Sequence, residues 1–153
     1  MFQIGDSIVY PMHGAGVIEA IEEKEISGKK QQYYIINMSM TNMDVMIPVS
    51  KMASSSIRPV IDILTLKRIL HIFQHGESER SLSWKQRYKV NMDKIKTGDI
   101  QEGAEVVRDL MRMKKEKALN ASEKEMLDKA YKLLFSELGL IKEITENQSK
   151  CFR

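Results

Sequence analysis

The sequence has little of what disulfide-bonded, membrane-spanning or secreted proteins contain. Its single cysteine, Cys151, lies near the C-terminus, which excludes an internal disulfide and a cysteine-rich zinc site and fits a reducing compartment. No apolar run approaches the ~20 residues that a transmembrane helix requires. The first residues carry neither the basic region nor the apolar stretch of a signal peptide. The sequence therefore predicts a soluble protein of the cytoplasm.

The residue patterns of common catalytic sites are also missing. The sequence contains no glycine-rich phosphate loop, no GxSxG motif and no paired carboxylates within an apolar run. His71 and His75 lie four residues apart on a predicted helix, but no third ligand or HExxH glutamate accompanies them. We therefore expect no enzymatic activity, no cofactor and no metal site.

Positive charge is concentrated in one segment. Residues 1–60 carry five basic and six acidic side chains, whereas residues 61–153 carry nineteen and fifteen. Within 80–96, six basic side chains accompany only one acidic residue, Asp93: Arg80, Lys85, Arg87, Lys89, Lys94 and Lys96. Such a density of charge can attract a polyanion, although a solvated helix face would show the same pattern.

The sequence changes character near residue 60. Before it, short β-rich runs alternate with turn signals, which predicts a small barrel; the runs are 3–10, 16–23, 32–38 and 45–49. Residues 24–30 read as a hairpin tip, and the serines at 54–56, closed by Arg58-Pro59, as a linker. About sixty residues are few for an independent core, so this part is expected to lean on the helices or on a partner.

After residue 60 the apolar period becomes helical and predicts four helices. The first runs from near Asp62 to His75-Gly76, the second from about Ser83 to Lys96, the third from Asp99 through Met113, and the fourth through Leu138. Either Asn120 with Glu123 or Ser122 with Glu125 could cap the fourth helix. The predicted fold class is α+β, with a small β-barrel followed by an all-helical domain.

Two kinds of side chain admit both a structural and a functional interpretation. Trp84, at the start of the second helix, is either a core anchor or an aromatic that enters a nucleic-acid groove between cations. The methionines of the N-terminal part either fill gaps in the core or form an adaptable surface for a protein partner. Met43 and Met46 are the best candidates for such a surface.

The opening segment 5–17, GDSIVYPMHGAGV, resembles the start of the CarD/CdnL family of bacterial transcription regulators, which bind RNA polymerase. The polymerase-interacting module of transcription-repair coupling factors opens in the same way. Four later segments are similar to the family's helical domain, which the coupling factors lack: 84–89, 96–99, 105–110 and 122–127. The resemblance covers about residues 2–141, in order.

The resemblance implies a Tudor/SH3-like polymerase-interacting domain at 1–60 and a helical DNA-binding domain at 61–145. The composition of the last residues predicts a flexible tail at 146–153. The barrel would add an exposed strand to the polymerase β subunit, through Lys24, Ile26, Val45, Met46 and Ile47. The helical domain would lie at the upstream edge of the transcription bubble, with Trp84 pushed into the minor groove. The DNA-binding residues would be Trp84, Lys85, Arg87, Lys89 and Lys124. Met46 departs from the arginine that the family often has at this polymerase contact.

These observations predict a monomeric, non-enzymatic regulator that stabilises the open promoter complex with little sequence specificity. Two other functions stay open at this point. The protein could be a repressor that binds DNA without polymerase, or an interaction adaptor in which Trp84 belongs to the core and no DNA is contacted.

Overall fold

The computed structural model describes residues 2–78 and 81–141, and it shows a β-sheet followed by four helices. The strands are β1 (Ser7–Tyr10), β2 (Gly14–Ile26), β3 (Lys29–Met38), β4 (Asp44–Pro48) and β5 (Arg58–Pro59), with a 3-10 turn at Val49–Lys51. The helices are α1 (Ile63–His75), α2 (Trp84–Lys96), α3 (Ile100–Glu116) and α4 (Ala121–Leu138). The predicted α+β class is confirmed.

All five strands form one antiparallel sheet in the order β4-β3-β2-β1-β5. The chain passes through β1 to β4 as a meander, and β5 returns to pair with β1 after the 3-10 turn. This connectivity is that of the predicted SH3-like and Tudor-like barrels. Alternate side chains of the inner strands point into the core, where Ile8, Ile18 and Ile36 are fully buried.

The β2–β3 hairpin is longer than predicted. Its pairing continues from Gly16 opposite Met38 to Ile26 opposite Lys29. Only two residues remain in the turn, Ser27-Gly28, with φ of 54° and 80°; positive φ at both positions is typical of the tight turn that matches the twist of paired strands. The predicted tip at 24–30 therefore belongs mostly to the strands, because main-chain pairing does not require apolar side chains.

Two further strand limits differ from the prediction. The strand predicted at 3–10 begins only at Ser7, because a turn around Gly5, with φ of 95°, precedes it. The predicted linker at 54–59 ends in a strand instead, since its last two residues are β5 and pair with β1. A strand of two residues has no periodicity that a sequence could display.

Each helix begins at a side-chain cap. The capping side chains accept a hydrogen bond from a backbone N–H three residues further on: Asp62, Ser83, Asp99 and Asn120. These caps confirm the predicted starts, and for α4 they select Asn120 with Glu123 over Ser122 with Glu125. The apolar faces of the four helices meet in one core that includes Leu66, Val106, Val107, Leu110 and Leu138.

The sheet and the helices are joined by polar contacts around a buried carboxylate. Glu137 on α4 is 3% exposed and accepts hydrogen bonds from Arg58 Nη1 (2.8 Å), Arg58 Nη2 (2.7 Å) and the Ile61 backbone N–H (3.0 Å). Near this cluster the chain turns at Gly98, with φ of 73°, where an added Cβ would lie 2.6 Å from the ring of Pro11. The small barrel thus packs directly on the helical part.

No helix within residues 2–78 and 81–141 is both long enough and apolar enough to cross a membrane. Arg80, Cys151 and the predicted tail at 146–153 lie outside the described residues. The domain limits at residues 60 and 145 stay predictions.

Candidate nucleic-acid and protein interfaces

The N-terminal end of α2 presents an exposed aromatic side chain. Ser83 and Gln86 form a capping box, in which each side chain accepts the backbone N–H of the other residue, at 3.3 and 3.0 Å. Trp84 is the first helical residue and is 47% exposed, with the Lys85 ammonium 6.0 Å from its ring centroid. A core role would require burial, so the structure favours the interpretation of Trp84 as a surface aromatic.

Arg87, one turn further along α2, is held by an acidic residue of α4. Its Nε and Nη2 donate to the two carboxylate oxygens of Glu123 at 2.9 and 2.8 Å, and the two side chains are 13% and 3% exposed. The hydrogen bonds to Glu123 raise the pKa of Arg87 above its ordinary value, against the effect of burial. The guanidinium therefore fixes the start of α2 against the start of α4, and it does not face solvent as a phosphate-binding group would.

The other predicted DNA-binding cations are free to meet phosphates. Lys85, Lys89 and Lys124 are exposed, and none forms an ion pair with another described residue. Because the Arg87–Glu123 pair joins the first turns of α2 and α4, it brings Lys124 to the same end of the helical part as Trp84. Four of the five predicted residues are therefore exposed, and Trp84, Lys85 and Lys124 belong to the first turns of the two helices that this pair joins.

Lys94, which also belongs to the basic segment, is engaged with α3. Its Nζ lies 2.9 Å from Glu105 Oε2. Burial alone would raise the pKa of Glu105, but the hydrogen bonds from Lys94 and Gln101 outweigh it, and the pKa lies below its ordinary value. Only part of the positive charge counted in the sequence is therefore available to a ligand.

Within the described residues the sheet has two edge strands, β4 and the two-residue β5, and the longer of them, β4, pairs with β3 on one side only. The Met38 N–H donates to the Met43 carbonyl at 2.9 Å, and the same register places Val45 opposite Ile36. Hydrogen-bonded pairs alternate along an antiparallel ladder, so the backbone groups of Val45 also point to β3. The backbone N–H and C=O of the next residue, Met46, then point outwards from the edge of the sheet, where another strand could pair with them.

The side chains of β4 alternate in the same way. Ile47 is 8% exposed in the barrel core and Val45 packs partly against it, whereas Met46 is 41% exposed. Of the three β4 residues predicted to contact polymerase, Met46 alone presents both its backbone and its side chain. The neighbouring Met43, 65% exposed, also fits a partner surface, while Met38 fills the core.

The hairpin residues predicted for the same interface lie further along the sheet. Lys24 is half-exposed, with its Nζ 3.3 Å from Glu22 Oε2, and Ile26 is 49% exposed. Since Pro48 pairs with Tyr33, the hairpin extends beyond the end of β4. Lys24 and Ile26 therefore lie on the part of the hairpin that extends past the end of β4, and they do not belong to the β4 edge itself.

Two histidines of α1 face each other, four residues apart. The rings of His71 and His75 are in tilted contact on an exposed face, with centroids 4.5 Å apart and 41° between their planes. No group of three or more His, Cys, Asp or Glu side chains that could hold a metal ion occurs in the described part of the chain.

Sequence reasoning missed the two buried carboxylates that organise this arrangement. Glu123 was visible only as a capping residue, and Glu137 as one of many charges in a helix. Their partners lie 36 and 79 residues away, so no local pattern identifies them.

Each half of the chain is similar to a known protein family. The family model "CarD-like/TRCF RID domain" matches residues 2–61, and "CarD, C-terminal domain" matches residues 68–152. The chain is 76% identical over 152 residues to the "Putative transcription factor YdeB" of Bacillus subtilis (strain 168), covering 99% of each protein.

Two solved structures also match the N-terminal part. One is the solution NMR structure of the N-terminal domain of Myxococcus xanthus CarD, at 29% identity and a TM-score of 0.34, covering 39% of this chain and 79% of that one. The other is CdnLNt from the same organism, at 36% identity and a TM-score of 0.34, covering 40% of this chain and 86% of that one.

Proposed function

The chain belongs to the CarD family and is a transcription regulator, and from this premise we propose that it stabilises the open promoter complex. It binds the RNA polymerase β subunit through its sheet and contacts promoter DNA at the upstream edge of the bubble through its helical part. It acts in the cytoplasm as a monomer, without enzymatic chemistry. The observation that carries this proposal is the exposed Trp84 at the start of α2, with the Lys85 ammonium 6.0 Å from its ring centroid and with Lys89 and Lys124 exposed on α2 and α4.

The sheet supports the polymerase contact through its free edge. An edge strand with unpaired N–H and C=O groups is a template for strand addition. Met46 directs such groups outwards, and its exposed side chain together with that of Met43 gives the edge an apolar face. Because the main chain supplies the pairing, the absence of an arginine at position 46 leaves this contact intact.

The exposed Trp84 and the exposed lysines of α2 and α4 support the DNA contact. Phosphate contacts from lysines position a protein without reading bases, while an apolar side chain inserted between base steps holds them unstacked at a cost of a few kcal/mol per step. At the edge of a bubble the DNA is already unstacked, so Trp84 stabilises the melted state more than the duplex. Arg87 serves as a positioning residue, because Glu123 already binds its guanidinium.

The two contacts reinforce each other. Each is small, but anchoring the sheet on polymerase gives the helical end a high effective concentration at the promoter. A defined arrangement of the two parts favours simultaneous contacts further, and the hydrogen bonds of Glu137 with Arg58 and Ile61 hold such an arrangement.

Strand addition is tested with two substitutions at one position. Met46→Pro removes an outward N–H and should abolish binding to the isolated β subunit, whereas Met46→Ala keeps the backbone and should weaken it only modestly. Val45→Pro is the contrasting variant, because it removes a hydrogen bond to β3 and should lower the stability of the fold. Equal binding by Met46→Pro and the parent protein would exclude pairing at this edge.

The DNA contact is tested by its salt dependence. Lys89→Ala should lower the slope of affinity against salt by about one unit and weaken different promoters to a similar extent. Lys67→Ala, an exposed lysine of α1, is the matched control and should leave the slope unchanged. Tight, sequence-selective binding to free duplex in high salt would instead support a repressor that needs no polymerase.

A further inference from the structure

A groove between the C-terminal end of α3 and the N-terminal half of α4 has an apolar floor. Its volume is about 990 Å³. Leu119 at its base is 6% exposed, and Met111, Leu127 and Tyr131 are half-buried along its sides. An apolar groove between two antiparallel helices can bind the apolar face of a third, amphipathic helix.

The rim of this groove is positively charged. Four lysines line it, Lys114, Lys115, Lys117 and Lys124, against two acidic residues, Glu116 and Asp128. The Asp128 carboxylate is 2.9 Å from Lys132 Nζ, so its charge is already balanced. A segment that covers the floor therefore meets a net positive border, which favours an acidic occupant.

Two occupants from the protein itself match this rim poorly. Residues 142–153 contain three basic and two acidic side chains, and a second copy of the chain, with its net charge of +3, would approach the positive rim against overall repulsion. Nucleic acid would match the charge, but phosphate contacts do not require an apolar floor. The combination of apolar floor and basic rim favours a protein helix.

We propose that this groove binds an acidic amphipathic helix of a partner protein. The contact is additional to the polymerase strand pairing and to the DNA surface around Trp84. Lys124 belongs to both surfaces, so the variants below leave it unchanged and the outcome is independent of the proposed DNA contact.

The probe is a peptide of about 15 residues with leucines at i, i+3, i+4 and i+7 and glutamates elsewhere, together with its scrambled isomer. Fluorescence anisotropy with the full-length protein should show the patterned peptide binding at least about tenfold more tightly than the scrambled one. The double variant Lys114→Glu/Lys117→Glu should weaken binding by about tenfold or more. Lys51→Glu/Lys67→Glu makes the same change of net charge at exposed lysines elsewhere and should leave binding within about twofold.

Amide chemical shifts give a second readout that needs no variant. The patterned peptide should shift signals of residues 111–131 and leave those of the β2–β3 hairpin unchanged. Equal binding by the scrambled peptide, or no binding by the full-length chain, would overturn the proposal. It would also be overturned if a DNA duplex, and not the peptide, shifted the signals of Met111 and Leu127.

Discussion

At each end of α4 a buried glutamate accepts two hydrogen bonds from an arginine of another element. Glu123 binds Arg87 of α2, and Glu137 binds Arg58 of β5. The two carboxylates are fourteen residues apart, about 21 Å along the helix. The first pair is the more buried, with its arginine 13% exposed against 26% for the second.

The two pairs fix different parts of the molecule. The Glu123 pair sets the start of α2, where Trp84 projects, while the Glu137 pair sets the sheet against the helices. A buried ion pair is costly to desolvate, and its best-attested use is to specify one arrangement over others. Helix α4 therefore carries at one end the contact that positions the start of α2 and at the other the contact that joins the sheet to the helices.

The largest effect is expected from Glu123→Ala. It leaves the buried Arg87 without a counter-charge, which should lower the free energy of unfolding by about 3–5 kcal/mol in urea denaturation. Glu125→Ala, an exposed neighbour on the same helix, is the control and should stay within about 0.5 kcal/mol. A loss of stability below about 1 kcal/mol for Glu123→Ala would mean that this ion pair contributes no more than an exposed one.

Glu137→Ala should have a smaller effect on stability, about 2–4 kcal/mol, because part of Arg58 already reaches water. The loss should come with shifted amide signals at Ile61 and Gly98, where the sheet meets the helices. If those signals and the stability were both unchanged, the pair would not hold the two parts together.

Arginine-to-lysine substitutions sharpen the comparison, since lysine keeps the charge and loses the two-pronged geometry. Arg87→Lys should cost about 1–2 kcal/mol and Arg58→Lys about 1 kcal/mol or less, because the exposed amine can be hydrated. Urea denaturation of both variants measures the difference. The reverse ranking would mean that burial does not decide the strength of these pairs.

The smallest effect on stability is expected from the partly buried ion pair of Lys94 and Glu105. Because the folded state lowers the pKa of Glu105 below 4.5, the carboxylate contributes stability above that pH, and the contribution is lost as the pH falls through the folded pKa. Glu105→Gln should therefore lower stability at neutral pH, and its difference from the parent should narrow below about pH 4.5. A difference that is the same at pH 3 and pH 7 would contradict this.

Local signals in the sequence predicted much of the fold. Helix starts at Asp62, Ser83 and Asp99 could be read because a cap and its partner lie three residues apart. The short β5 could not, since its pairing with β1 is decided by tertiary contacts about fifty residues away.

The sequence predicted which residues belong to the candidate site, but not how their side chains are arranged. Trp84 and the lysines were recognised from charge and from the family resemblance, whereas the engagement of Arg87 by Glu123 depends on how two distant helices pack. A strand at 45–49 was predicted, but Val45, Met46 and Ile47 are all apolar, so the side chain that faces outwards and the direction of each backbone N–H followed only from the register with β3.

The central claim is that Trp84 acts on DNA from the end of α2. It is tested by the lifetime of open complexes formed by polymerase with the parent protein, Trp84→Ala or Leu64→Ala, the last a 71% exposed side chain on α1. Trp84→Ala should bind polymerase normally and lose less than about 1 kcal/mol of stability, against about 3–5 kcal/mol for a buried aromatic. It should nevertheless abolish most of the gain in lifetime, while Leu64→Ala keeps it. A Trp84→Ala variant that unfolds, or that prolongs open complexes as the parent does, would contradict the account.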